Sequence, residues 1–301
     1  MSTLSYFQAI VLGLVQGVTE LFPVSSLGHS VILPQLLGWT GVVAAQSASE
    51  SYFLALLVGL HVATALALLI FYRDTWVRIV RGVLGTFGTR RIETPDQRLG
   101  WLLIVATIPA GLVGLLLEHP LRVVFAKPLA AAGFLVINGL ILLGGEWLRR
   151  RAQGRVAGPT RHATRAGSHA IPAGRRLDGL GFRVAATVGV AQAFALLPGI
   201  SRSGITMVAG LVRGLDHEDA ARFSFLLATP VILAAGVYKL PDLLGPNGDG
   251  VRLQVLLGSV AAGVAAYFSV RFLARYFTSR TLTPFAIYCL VVGVLALFRF
   301  A

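Results

Sequence analysis

Six separate stretches of about 20 mostly apolar residues, near 50–72, 99–117, 129–148, 219–240, 251–272 and 282–300, constrain this chain more than any other feature. Each matches the hydrocarbon thickness of a bilayer, where only helices and closed barrels satisfy their own backbone hydrogen bonds. A barrel strand alternates apolar and polar residues over about ten positions. The run Leu54-Ala55-Leu56-Leu57-Val58-Gly59-Leu60 does not alternate. The stretches therefore predict six transmembrane helices and an all-α integral membrane protein. The charged fraction of 13% agrees, being about half that of a soluble domain. The first Lys or Arg is Arg73, so no basic segment precedes the first apolar run and a cleaved signal peptide is not expected. One cysteine, Cys289, lies in the last span; it allows neither an intrachain disulfide nor a thiolate metal site.

Two further apolar regions are interrupted. Residues 4–38 are broken by Glu20-Leu21-Phe22-Pro23-Val24-Ser25-Ser26, and residues 181–214 by Pro198 to Ser203. Half-length helices around a proline-containing polar break predict a re-entrant hairpin in each region. Irregular backbone at membrane depth is tolerated only against protein or a water-filled cavity, so the two breaks are expected to line one cavity. They also resemble each other: Gln16 to Gln192 and Ser25 to Ser201 share an offset of 176. One hairpin plus three spans in each half puts the halves in opposite orientations, the inverted-repeat plan. A single domain 1–301 is thus divided into a first repeat 1–148, a basic loop 149–180 and a second repeat 181–301.

Charge follows this topology. The connections at 73–98, 149–183, 213–222 and 271–280 hold 20 of the 26 Lys and Arg. The opposite face holds Arg122, Lys127, Lys239, Arg252 and Arg299, and Arg202 stands in the second break. The positive-inside rule makes the basic face cytoplasmic and both termini periplasmic. Charge sorted by membrane face explains the net +13 without a nucleic-acid partner. The 149–183 connection lacks apolar periodicity and is expected to be mobile, touching anionic headgroups.

An ionisable group at membrane depth is a functional candidate by default, and Glu20 and Arg202 fall in the breaks. Arg202 offers a planar fork of donors suited to phosphate, Ser201, Ser203 and Thr206 add hydroxyls, and Gly199 and Gly204 admit close backbone approach. A half-helix starting near Ser203 would aim free N–H groups at an anion. The competing use of Arg202 is to pair with Glu20 and lock the hairpins together. Ser25 and Ser26 are candidate nucleophiles, with His29 close by as general acid or base. Glu20 could orient His29 or, with the Gln16 amide oxygen, bind a divalent cation. His61, Asn138 and Glu146 are isolated within spans, where interhelical hydrogen bonds are the expected use.

At these residues the chain resembles the undecaprenyl-diphosphate phosphatase family, the bacitracin-resistance membrane phosphatases of bacteria. The resemblance rests on Gln16-x-x-x-Glu20 with Pro23-Val24-Ser25-Ser26-Leu27-Gly28-His29, and on Pro198 through Thr206. Phe223-Ser224-Phe225-Leu226-Leu227-Ala228 with Pro230, and Pro284-Phe285-Ala286-Ile287-Tyr288, extend it over nearly the whole chain. It implies hydrolysis of undecaprenyl diphosphate to the monophosphate carrier lipid of peptidoglycan synthesis, with a divalent cation (Mg or Ca), in the bacterial inner membrane. The implied partner is the polyprenyl diphosphate lipid, and a homodimer is allowed. Gln16 stands where some members have Glu, Leu27 where Thr is often found, and Cys289 where Arg is common. The alternative from another class is a polyprenyl-phosphate carrier without hydrolytic activity.

Overall fold

The computed structural model describes residues 4–47, 52–125, 127–156, 177–245 and 249–301. Among these the chain forms twelve α-helices and no strand: α1 (Tyr6–Thr19), α2 (Ser26–Leu36), α3 (Thr40–Ser47), α4 (Tyr52–Phe71), α5 (Arg73–Thr89), α6 (Pro95–Phe125), α7 (Pro128–Val156), α8 (Phe182–Ala193), α9 (Arg202–Val212), α10 (His217–Leu244), α11 (Arg252–Tyr276) and α12 (Thr283–Phe300). Helices α4, α6, α7, α10, α11 and α12 are long and apolar enough to cross a bilayer. They coincide with the six stretches read from the sequence. Their outward faces carry large apolar side chains such as Val237 and Phe298, 72% and 82% exposed, a surface suited to lipid rather than water.

The four helices flanking the breaks have 14, 11, 12 and 11 residues. At 1.5 Å per residue none of them alone reaches across about 30 Å of hydrocarbon. Serine caps set the starts of three of them: Ser5 closes a capping box with Gln8 at the head of α1, Ser25 caps α2, and Ser201 caps α9.

Small residues bring these short helices against long ones. A Cβ on Gly13 would lie 2.1 Å from the Gly258 carbonyl oxygen, and one on Gly17 2.2 Å from that of Ala262, so α1 and α11 meet backbone to backbone. In the other half α8 approaches α6 in the same way, where a Cβ on Gly189 would lie 2.5 Å from the Ala106 oxygen. The helix that precedes each break thus packs on a long helix distant in sequence. Phe223, Phe225 and Phe277 are buried in the main core.

The 73–98 connection contains a helix that its position between spans concealed. Helix α5 is amphipathic, with Thr75 and Ile79 buried and Val77, Val80, Leu84 and Phe87 exposed along one face. Such a helix suits the membrane interface. Most of the basic loop, residues 157–176, lies outside the described residues. Asn138 and Glu146 make interhelical bonds as expected. Glu146 Oε1 accepts from His217 Nε2 (2.6 Å) and from the Leu282 backbone N–H (2.8 Å), tying α7 to α10 and to the start of α12.

Candidate active site

Both breaks turn sharply and then launch a helix. After α1 the chain passes Pro23 to Ser25, whose φ of 70° is rare for a residue with a side chain. Ser25 Oγ accepts from the Gly28 N–H (3.2 Å) and so caps α2. In the second break Gly199 has φ +105°, and Ser201 Oγ accepts from the Gly204 N–H (3.1 Å) to cap α9. Both helices begin at their breaks, so their unpaired first-turn N–H groups and positive dipole ends lie at the junction.

The breaks are locked to each other. The Gly199 N–H donates to Ser25 Oγ (3.1 Å), and a Cβ on Gly28 would lie 3.0 Å from Gly199 Cα. Asn138 on α7 braces both: its amide nitrogen donates to the Pro23 carbonyl (3.0 Å) and its oxygen accepts the Ser201 N–H (2.9 Å). Ser203 Oγ donates across to the Phe22 carbonyl (3.3 Å).

Glu20 is the hub, with its side chain 5% exposed. Its Oε1 accepts from Arg202 Nη2 at 2.5 Å. Its Oε2 accepts from Gln16 Nε2 (2.9 Å) and from the Ser26 hydroxyl, and faces His61 Nε2 at 3.4 Å. His61 Nδ1 lies 2.8 Å from the Leu57 carbonyl. A carbonyl only accepts, so Nδ1 carries hydrogen, and Nε2 is the ring nitrogen that faces the carboxylate. Gln16 Oε1 is buried without a hydrogen-bond partner. A cavity of about 350 Å³ opens onto this cluster, lined by Glu20, Ser25, Ser26, His61, Ser201 and Arg202, with Leu27 and Lys239 also on its wall.

The sequence-predicted residues divide into two groups. Gln16, Glu20, Ser25, Ser26, Ser201 and Arg202 gather at the junction. Gly199, Ser203, Gly204 and Thr206 stand behind it: Thr206 Oγ1 bonds Ser224 Oγ (2.6 Å) and the Arg202 carbonyl (2.8 Å), within the scaffold rather than on the cavity. His29 stands apart from both groups. One turn into α2 its ring leaves the cavity, with Nδ1 2.7 Å from the Ser25 carbonyl and Nε2 2.9 Å from the Tyr288 hydroxyl. The imidazole on the cavity is His61, for which the sequence alone predicts only an interhelical hydrogen bond. The rule that singled out Glu20, an ionisable group within an apolar span, applied equally to His61.

A family model described as Bacitracin resistance protein BacA matches residues 9–295. The chain belongs to the BacA family. Undecaprenyl-diphosphatase 2 of Frankia alni is 55% identical, covering 100% of this chain and 99% of its own. The undecaprenyl-diphosphatases of Mycolicibacterium paratuberculosis and Mycobacterium avium are each 56% identical over 96% of this chain and 95% of theirs. Of the departures from the BacA pattern, Cys289 is buried, with its sulfur 3.3 Å from the Asn138 amide nitrogen. It belongs to the brace behind the breaks.

Proposed function

We propose that this protein is a membrane phosphatase that hydrolyses undecaprenyl diphosphate to undecaprenyl phosphate and inorganic phosphate. That activity recycles the carrier lipid for peptidoglycan synthesis and confers bacitracin resistance. The observation that carries the reading is the Ser26 hydroxyl held on the Glu20 carboxylate in the cavity that Arg202 lines. A lipid carrier would need the cationic cradle but has no use for a hydroxyl poised on a base.

Arg202, Ser201 and the first-turn N–H groups of α9 take the terminal phosphate, and the prenyl chain lies against apolar walls such as Leu54, Val58 and Ile232. Ser26 Oγ attacks the terminal phosphorus, and its proton passes to Glu20. As the new P–O bond forms, the bond to the bridging oxygen breaks and its electron pair leaves with undecaprenyl phosphate. Water then attacks the phosphoserine, the P–Oγ bond breaks, Ser26 regains a proton, and inorganic phosphate departs. His61 Nε2, facing Glu20 Oε2, relays that proton from the carboxylate and returns it in the second half-reaction. His29, through Ser25 and Tyr288, positions the first break. Direct attack by water, with Ser26 only orienting it, is the variant mechanism.

A divalent cation, Mg or Ca, fits beside Glu20 and Gln16. The Gln16 amide oxygen is a buried acceptor without a partner, and one carboxylate with one amide oxygen suits a hard cation that shares its shell with phosphate oxygens. Among the described residues no three His, Cys, Asp or Glu gather to hold a metal by themselves. When bound, the cation would neutralise diphosphate charge.

The arginine distribution supports an inner-membrane orientation with both termini periplasmic, and the paired breaks support repeats 1–148 and 181–301 with two re-entrant hairpins. The reaction needs no nucleic acid. Phosphate release from undecaprenyl diphosphate by the purified protein in detergent, with Mg, with Ca and with chelator, tests the reading. Rapid quench should trap phosphoserine in wild type and none in Ser26→Ala. Absence of release from a protein that still binds and moves the lipid would overturn it in favour of a carrier.

A further inference from the structure

A second concave site lies at the far end of α11. The last two turns of that helix and the turn after it form a pocket of about 460 Å³ walled by Arg271, Arg275, Arg280, Ser279 and the rings of Phe272 and Tyr276. Arg271 and Arg275 stand one helical turn apart. The chain then bends tightly, with the Arg280 N–H bonded to the Tyr276 carbonyl (3.0 Å), which brings a third guanidinium over the same helix face. Elsewhere on the basic face Arg73 and Arg78 each have an aspartate within 4 Å. Arg271, Arg275 and Arg280 have no carboxylate at ion-pair distance among the described residues. Three like charges around one hollow call for an anion.

The pocket continues into lipid territory. Phe268 forms part of its wall and also closes one end of an apolar furrow of about 490 Å³ between α4 and α11. Ala63, Ala67 and Gly263 keep the furrow open, and Ile70, Val264 and Tyr267 flank it. This furrow runs along the C-terminal half of α4, whereas the catalytic cavity meets the N-terminal half at Leu54, Leu57, Val58 and His61. The two sites are therefore separate.

We propose that this pocket and furrow bind an anionic glycerophospholipid from the leaflet on the arginine-rich face. Its phosphate rests on Arg271, Arg275 and Arg280, and one acyl chain lies between α4 and α11. The furrow is open to the bilayer on its outer side, so an abundant leaflet lipid enters by lateral diffusion without leaving the membrane. The site clamps the two helices that matter to the chemistry at a distance: α4 carries His61, and α11 holds α1, with Gln16 and Glu20, through the Gly17–Ala262 contact.

Native mass spectrometry of the full chain in detergent, titrated with phosphatidylglycerol, tests the proposal. Arg271→Gln/Arg275→Gln/Arg280→Gln is expected to weaken binding by at least about tenfold, whereas Arg149→Gln/Arg150→Gln/Arg151→Gln, with equal charge loss, changes it by less than about twofold. Val264→Trp, which fills the furrow without touching charge, should weaken binding several-fold. Phosphate release by the Arg271/Arg275/Arg280 variant in detergent should stay near wild type, which separates this site from the catalytic reading. Retained binding in that variant, equal loss in the control, or preferential displacement of phosphatidylglycerol by undecaprenyl phosphate would overturn the assignment.

Discussion

The two imidazoles near the first break make opposite demands on mutagenesis. His61→Gln keeps a polar group of similar reach but removes the ring that shares Glu20 with Ser26. A positioned acid–base group contributes about 10²–10⁴ in rate, or about 2.7–5.5 kcal/mol at 1.36 kcal/mol per tenfold. It gives up a long contact to Glu20, 3.4 Å, and a 2.8 Å contact to the Leu57 carbonyl within its own helix, together about 0.5–1.5 kcal/mol of stability. His29→Ala reverses the balance. It removes contacts of 2.7 and 2.9 Å and the stacking on Tyr288 at 5.7 Å, leaving the Ser25 carbonyl and Tyr288 hydroxyl without that partner. A stability loss of about 1–3 kcal/mol follows, with kcat expected within about tenfold of wild type. The assay is steady-state phosphate release from undecaprenyl diphosphate in detergent as a function of pH, beside thermal unfolding of each variant. His61→Gln should lower kcat by about 10²–10⁴ with KM and Tm nearly unchanged and should remove a limb of the pH–rate profile. A kcat loss of that size in His29→Ala at unchanged Tm, with His61→Gln nearly wild type, would refute the placement of the proton-transfer group.

The serines separate in the same way. Ser26→Ala should abolish phosphoserine trapping and lower kcat by at least about 10²-fold, whereas Ser25→Ala, which loses the bonds from the Gly28 and Gly199 N–H groups, should cost about 1–3 kcal/mol of stability and raise KM more than it lowers kcat. Gly199→Ala places a side chain at φ +105° and 2.4 Å from the Ala131 oxygen. Strain and overpacking of about 1–3 kcal/mol each should lower Tm and detach the second break from the first, read as lost activity even below the melting transition. Glu146→Ala removes the carboxylate that accepts from His217 and the Leu282 N–H, so about 3–5 kcal/mol of stability should be lost while KM in the surviving folded fraction is unchanged.

The long-range plan of this molecule was legible because membrane physics leaves few choices. Twenty apolar residues with no alternation can only be a spanning helix, and a proline among polar residues at membrane depth can only be sheltered by protein. That reasoning located Glu20 and Arg202 in one site although 182 positions separate them. What it could not resolve was the rotation of a side chain about its helix. His29 lies close to Ser25 and Ser26 in sequence, yet the turn at Ser25 sends its ring to Tyr288, 259 positions away. His61 is distant in sequence and reaches Glu20 only because α4 crosses the hairpin at that height. Helix α5 was hidden for a different reason: an amphipathic helix next to a span reads as a connection when only continuous hydrophobicity is followed.

Arg202 can serve as a lock between the breaks or as a cradle for phosphate, and the geometry makes the two uses compatible. Glu20 is bonded by Nη2 alone, one edge of a guanidinium that carries five N–H donors. Its other nitrogens have no side-chain partner among the described residues, and the group lines the open cavity with its side chain 15% exposed. A buried pair of this kind contributes little net stability, because desolvation offsets most of the attraction. Its value lies in position. The carboxylate that fixes Arg202 from behind also holds the Ser26 hydroxyl, so one group sets both the nucleophile and the phosphate receptor of the proposed mechanism before substrate arrives. Phosphoryl transfer asks for that kind of preorganisation above all, since positioning and charge stabilisation supply most of its rate. The two side chains come from the two breaks, Ser26 from the first and Arg202 from the second, and both reach Glu20 only because the breaks meet.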